Sequence, residues 1–276
     1  MQANMHSGGQ RVVITGAGSG LGRELALCYA RAGARLALAD LHPEGLKETL
    51  ELVDQAGGNG FTQRCDVRDF SQLAALAQTC EERMDGIDVL INNAGVSSGG
   101  FFWDLSLEDW EWQISINLMG VVKGCKAFMP ILMRQRSGRI INIASMAALM
   151  QSPGMSNYNV AKAGVVALSE SLLAELQPLG IKLHVVCPSF FQTNLLDSFR
   201  GPDQAAKQQV AKLLESSPIS AADVAGIIYR ESGAERFMIL PHESGRMAWT
   251  AKQADPQVIY DEMIKLATKR IEQAKI

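Results

Sequence analysis

Short apolar runs alternate along this chain with longer stretches in which apolar residues recur every third or fourth position. RVVIT from Arg11 is the first run, and the turn GAGSGLG ends it; Leu21, Leu25, Cys28, Tyr29 and Ala32 then share a helical face. RLALAD from Arg35 is a second strand candidate, after which Pro43 suits the first turn of a helix running through LKETLELVDQ. TQRCD is a weaker strand, followed by the helix DFSQLAALAQTCEER with Asp69 as its cap and Gln72 placed to reach back to that cap. IDVLINNAG reads as strand and turn, and SLEDWEWQISINLMGVVKGCKAFMPILMRQ as one helix that tolerates Gly120 and Gly124 and bends or stops near Pro130. GRIINIAS and IKLHVVCPS flank the helix SNYNVAKAGVVALSESLLAEL, and ERFMIL is a last strand. Continuous apolar strands separated by amphipathic helices specify an α/β protein, a Rossmann-like three-layer sandwich with a mostly parallel sheet covered on both faces.

Two segments depart from the alternation. Residues 190–218 lie beyond the carboxyl end of a predicted parallel strand, where ligands bind in such sheets, so they are expected to form a substrate loop or lid. Residues 241–276 form an atypical C-terminal extension whose helix sets Ile259, Met263, Leu266 and Ile271 near one face, suited to packing within the chain or between subunits rather than on a membrane. No repeat and no Gly/Ser or Pro linker divides the sequence, so residues 1–276 are expected to be a single domain.

Composition narrows the function classes. Twenty-six basic and 29 acidic side chains give a formal charge of -3 without long blocks of either sign, which offers no footprint for nucleic acid and no electrostatic anchor for a membrane. The 5 cysteines have no CxxC spacing and read as small buried hydrophobes in a reducing compartment. The start MQANMHSGGQR lacks an apolar signal core, and the apolar runs are strand-sized, so a cytoplasmic protein is expected. His6, His42, His184 and His242 make no ligand pattern, and no metal is expected.

The turn TGAGSGLG, Thr15 to Gly22, joins the first strand directly to the first helix. A glycine cluster alone is equally a turn, but in this position Gly16, Gly20 and Gly22 allow the backbone to approach a pyrophosphate that the helix amino terminus stabilises. Asp40 ends the second strand, where a carboxylate accepts both hydroxyls of an adenosine ribose and repels an added phosphate; neither Ser19 nor Leu41 supplies a compensating cation. Tyr158 and Lys162 stand one helical turn apart, so phenol and ammonium can share a site, although a pair at this spacing also arises by chance.

With these motifs in order, the chain resembles the classical short-chain dehydrogenase/reductase family over roughly Arg11 to Thr193. Thr15, Gly16, Gly20 and Gly22 match its cofactor turn, Asn92 to Gly95 its NNAG motif, Asp66 and Val67 its adenine-side contact, and Asn117, Ser145, Tyr158 and Lys162 its catalytic tetrad. The resemblance implies NAD held by Gly16, Ser19, Gly20, Leu21, Gly22, Asp40, Leu41, Asp66, Val67, Asn93, Ala94, Gly95, Tyr158, Lys162, Pro188 and Thr193. It also implies proton exchange by Tyr158, a phenolate made accessible below pH 10 by Lys162 with the oxidised cofactor, a substrate oxygen held by Ser145, and a water held by Asn117. A homodimer or homotetramer is expected. Pro188-Ser189 departs from the family's usual Pro-Gly, and the usual glycine-rich ending is missing.

These features imply an NAD-dependent oxidoreductase interconverting a secondary alcohol and a ketone, with a catalytically weak nucleotide-binding regulatory or scaffold protein as the alternative. Substrate contacts are expected from Ser145, Met146, Tyr158 and Phe190. Nearby segments add Leu149, Met150 and Met155, then Phe191, Leu195, Leu196 and Phe199, with Trp103 at the rim. Some of these are core, yet they supply few donors or cations for a sugar or a highly charged acid, so a bulky, mainly hydrophobic substrate is expected.

Overall fold

The computed structural model describes residues 9–193, 196, 198–201, 204–234 and 236–274. The apolar runs become strands β1 (Arg11–Thr15), β2 (Arg35–Asp40), β3 (Asn59–Arg64), β4 (Val89–Asn92), β5 (Gly138–Ile143), β6 (Ile181–Val186) and the short β7 (Met238–Ile239). They form one parallel sheet in the order β3-β2-β1-β4-β5-β6-β7, which reverses direction between β1 and β4 and so opens a crevice at their carboxyl ends.

The helices cover both faces. They are α1 (Gly20–Arg31), α2 (Pro43–Gln55), α3 (Phe70–Met84), α4 (Leu107–Asn117), α5 (Met119–Gln135) and α6 (Ala147–Met150), then α7 (Ser156–Leu176), α8 (Gln204–Glu215), α9 (Ala221–Gly233), α10 (Glu243–Ala254) and α11 (Pro256–Ala274). The two-residue period of the strands divides the core. Ile14 and Leu38 pack with Leu25, Leu46 and Ile228 on one face, and Val13, Leu90 and Ile140 with Leu73, Phe128 and Val165 on the other. Each such buried Leu, Ile or Phe contributes about 1.5–3 kcal/mol. The single domain is thus a three-layer sandwich.

One sequence expectation is corrected here. The long helix is not interrupted at Pro130, which lies inside α5, but at Leu118, between α4 and α5. Asn117, the last residue of α4, turns its amide onto the main chain of Val96, while Gly120 and Gly124 let α5 approach Val67 and Asn92 where a Cβ would collide. The glycines are therefore contact points. Leu107–Gln135 is long and apolar enough to pass for a membrane span, yet its buried residues Val121, Phe128 and Leu132 belong to the sheet's core. Asp69 caps α3 as expected, accepting the Ser71 N–H, and Gln72 reaches back to it, donating to the Asp69 carboxylate at 3.0 Å while accepting the Asp66 N–H at 2.9 Å.

The extension packs back on its own chain. In α10, Gly245 rests on Met146 and Lys252 donates to the Leu149 carbonyl at 2.5 Å; in α11, Arg270 donates to the Pro153 carbonyl at 2.7 Å. Ile259, Met263, Leu266 and Ile271 lie on the half-buried face of α11, as their spacing predicts.

Candidate active site

The turn after β1 is braced from β4. Thr15 Oγ1 accepts the N–H groups of Asn93 at 3.1 Å and Ala94 at 3.2 Å, while the Asn93 side chain donates to the carbonyls of Thr15 and Gly16, both at 3.0 Å. Gly16 has φ +67°, and a Cβ there would stand 2.7 Å from Ala94 Cα; a Cβ on Gly22 would strike the Gly16 carbonyl. The glycines thus let the turn fold tightly against β4 and the start of α1. Asp40 Oδ2 accepts the Gly18 N–H at 2.9 Å, and its Oδ1 accepts from His42 at 3.0 Å. Arg23 reaches the same turn, donating to the Gly18 carbonyl at 2.7 Å, but an ion pair with Glu48 at 2.8 Å neutralises it.

The second half of the site comes from the end of β5 and the start of α7. Lys162 Nζ is buried, donates to the Ile143 carbonyl at 2.9 Å, and lies 5.8 Å from the centre of the Tyr158 ring. Burial pushes Lys162 down to about 8 and Tyr158 up to about 12, the latter opposed by a hydrogen bond with Ser145. The phenol, already protonated at neutral pH at its ordinary value of 10, is held in that form more firmly by burial. Asn117 Oδ1 accepts the Val96 N–H at 3.0 Å and Nδ2 donates to the Val96 carbonyl at 2.9 Å. Its side chain is held behind the loop that carries Gly95, where a Cβ would lie 2.7 Å from Asn117 Oδ1 and 3.5 Å from Lys162 Nζ.

A cavity of about 950 Å³ joins the two halves. Gly16, Ser19, Gly20 and Leu21 line it at the turn; Asp40, Leu41, Asp66 and Val67 line it at the far end. Asn93, Ala94, Gly95, Ser145, Tyr158 and Lys162 line its middle, with Met146, Pro188, Phe190 and Thr193. Gly22 and Asn117 support this wall from behind. Met150, Met155 and Phe191 also line it, whereas Leu149 belongs to the core, Phe199 packs on Gly99, and Trp103 stacks on Phe101 at 4.8 Å between ring centres. Leu196 is half-buried and does not line the cavity, and Leu195 lies outside the described residues.

Other lining residues escape sequence reasoning. Trp112 and Ile116 stand one turn apart on α4, a spacing visible in the sequence, while Arg200 comes from the loop after β6. Ser244, Gly245 and Ala248 bring α10 into the wall, a return that no local pattern announces. His242, the residue before α10, accepts the Ser189 N–H on Nδ1 at 3.1 Å. Among the described residues no cluster of His, Cys, Asp and Glu could hold a metal.

The family model described as short chain dehydrogenase matches residues 10–204, which spans the turn, the cavity and the Tyr158/Lys162 pair. The chain belongs to the short-chain dehydrogenase family. A solved family member from Burkholderia phymatum in complex with NAD superposes with a TM-score of 0.86 at 34% identity, covering 91% of this chain and 95% of that one. Levodione reductase gives a TM-score of 0.79 at 28% identity, covering 87% and 98%. Oxidoreductase UcpA of Salmonella typhimurium is 37% identical over 194 residues, 69% of this chain and 72% of its own. EphD of Mycobacterium bovis is 36% identical over 186 residues, 67% of this chain, but the chain spans only 31% of that relative's length.

Proposed function

We propose that this short-chain dehydrogenase is an NAD-dependent oxidoreductase interconverting a secondary alcohol and a ketone. The supporting observation is the convergence of Ser145, Tyr158 and Lys162 on the cavity that the glycine turn and Asp40 close at its other end. The donor set fits a dinucleotide. The α1 amino terminus, whose cap Ser19 makes no side-chain capping bond, offers N–H groups to a pyrophosphate, and Gly16, Ser19 and Gly20 line the cavity beside it. Asp40 is placed for the ribose hydroxyls, where its charge opposes a further phosphate, and Arg23 beside the turn is paired with Glu48.

NAD, when bound, supplies the hydride donor or acceptor. Tyr158, a phenol that is protonated at neutral pH and that burial pushes up to about 12, donates its proton to the substrate carbonyl oxygen in reduction. Ser145 hydrogen-bonds the same oxygen and fixes its position beside the phenol. Lys162, tied to Ile143 by one N–H, keeps two donors for the nicotinamide ribose and holds positive charge next to the phenol. Asn117 acts through Val96, whose N–H and carbonyl it holds, and so fixes the loop that carries Gly95. A mainly apolar substrate fits Met146, Met150, Met155 and Phe190.

Replacing Tyr158 by Phe tests the assignment, because it keeps the aromatic bulk and removes the proton. NAD binding should persist while turnover falls roughly 100-fold or more. Near-normal turnover in the variant would refute the role of Tyr158. NAD binding by the parent without turnover across a broad alcohol and ketone panel would favour the regulatory alternative.

A further inference from the structure

The cavity wall carries three Lys or Arg side chains among the described residues, Arg68, Lys162 and Arg200. Two are committed. Arg68 makes a forked ion pair with Asp66, its closest approach 2.6 Å, and Lys162 belongs to the catalytic centre. Arg200 has no acid partner among the described residues; its guanidinium carbon lies 4.2 Å from the centre of the Trp112 ring. A guanidinium held over an aromatic face keeps its charge and presents a fork of N–H donors that matches a carboxylate.

Its root is fixed. Arg200 donates its N–H to the Ser97 carbonyl and accepts from the Gly99 N–H, both at 3.1 Å, and Ser198 Oγ accepts the Ser97 N–H at 3.2 Å. Gly201, at φ +129°, passes so close to Gly99 that a Cβ would strike the Gly99 carbonyl. The loop after β6 is thereby docked on the segment that leaves Gly95, and Ser97 is no more than about 7 Å of chain from Gly95. Both lining carboxylates, Asp40 and Asp66, stand at the ends of β2 and β3, at one edge of the sheet, and the wall that Arg200 shares with Ser145 and Tyr158 includes Met146, Met155, Ile116 and Phe190 beside Ser97, Ser152 and Ser198.

From this arrangement, and resting on the hydride-transfer assignment above, we propose that Arg200, backed by Trp112, recognises a carboxylate on the substrate. The substrate is then a keto acid or hydroxy acid with its anionic group at one end, an apolar spacer along the wall and the reacting carbon at Tyr158. The apolar walls remain as expected from the sequence, but the substrate they enclose is amphipathic rather than uniformly hydrophobic.

The test pairs ω-1 keto carboxylic acids of graded chain length with their methyl esters, using NADH and the full chain. The acid should exceed its ester roughly tenfold or more in kcat/KM at low salt, mainly through KM, with a maximum at one spacer length. Arg200→Gln should bring the acid-to-ester ratio close to one, Arg200→Lys should retain part of it, and added salt should shrink it. Because a ratio is read, general damage to the protein cancels. An acid-to-ester ratio near one in the parent, or a ratio unchanged by Arg200→Gln, overturns the proposal. Failure of hydride transfer is separable: calorimetric titration of the same acids and esters into the NAD-loaded protein still reads the anion preference, and equal binding of the two would sink the carboxylate site.

Discussion

Ser189 donates its main-chain N–H to Nδ1 of His242 across 3.1 Å, so the two places where this chain leaves its family's pattern are bonded to each other. The first is the serine in place of glycine after Pro188; the second is the extension that replaces a glycine-rich ending. A side chain from the extension thus holds the main chain next to Pro188, and the wall of the cavity is completed by α10.

That bond makes a pH-dependent contribution. Burial, reinforced by the nearby positive charge of Arg246, holds His242 below its ordinary 6.5, although a hydrogen bond at the Phe190 main chain opposes the shift. Nδ1 accepts only while unprotonated. The unfolded chain therefore takes up this proton first as pH falls, and stability that is full above about 6.5 is lost as pH drops towards the lower folded value. His242→Asn, whose Oδ1 can accept in the place of Nδ1, should flatten this part of a melting-temperature profile between pH 7.5 and 5. An unchanged slope would show that other groups carry it.

Lys162 should cost stability in the cofactor-free protein. Its ordinary 10.5 is depressed to about 8, a difference worth about 3 kcal/mol against the buried charge at neutral pH. Lys162→Met should therefore abolish turnover yet raise the melting temperature at pH 7. The sign sets the window: the unfolded chain holds more protons between about 8 and 10.5, so the parent gains stability as pH rises through that range and the gap to the variant narrows. Melting curves at pH 7 and 9.5 measure it, and a variant less stable than the parent at pH 7 would identify the ammonium as a net stabiliser.

Much of this molecule is legible in its sequence because its determinants are local. β1, β2 and β4 are short apolar runs, β5 and β6 keep that character around a few polar residues, the glycine turn lies between a strand and a helix, and Tyr158 and Lys162 share a face by spacing alone. The unread parts depend on distant contacts. The break at Leu118 accompanies the bonds of Asn117 to Val96, in a stretch where Pro130 was the visible breaker. Arg200 gains meaning only when its loop docks on Ser97 and Gly99, and His242 only when α10 returns across α6. The shift of Tyr158 up to about 12 likewise reflects burial, which a spacing argument cannot weigh against charge.

Asp40 should govern cofactor choice in two ways, through its charge and through its bonds to Gly18 and His42. Asp40→Ala should weaken NAD and narrow its advantage over NADP, as read by parallel fluorescence titrations. Adding Glu48→Gln, which frees Arg23 beside the turn, should move the ratio further towards NADP. A parent protein that prefers NADP would show that Asp40 does not set the choice.

Gly245 tests whether the extension shapes the substrate end. The glycine lies in the cavity wall on α10, and a Cβ there would stand 3.1 Å from the Met146 sulfur and 3.2 Å from its Cγ. Methionine is flexible enough to yield to one methyl group, but a leucine must either push Met146 inward or enter the cavity itself. Either movement removes space beside the reacting carbon while leaving the glycine turn and Asp40 at the other end untouched. Gly245→Leu should therefore lower kcat/KM for ring-bearing ketones roughly tenfold or more relative to short-chain ketones, with little change in NAD affinity. If the ratio of bulky to small substrates stays as in the parent, α10 covers the site without bounding it, and the size limit must be sought on the α4 side, at Trp112 and Ile116.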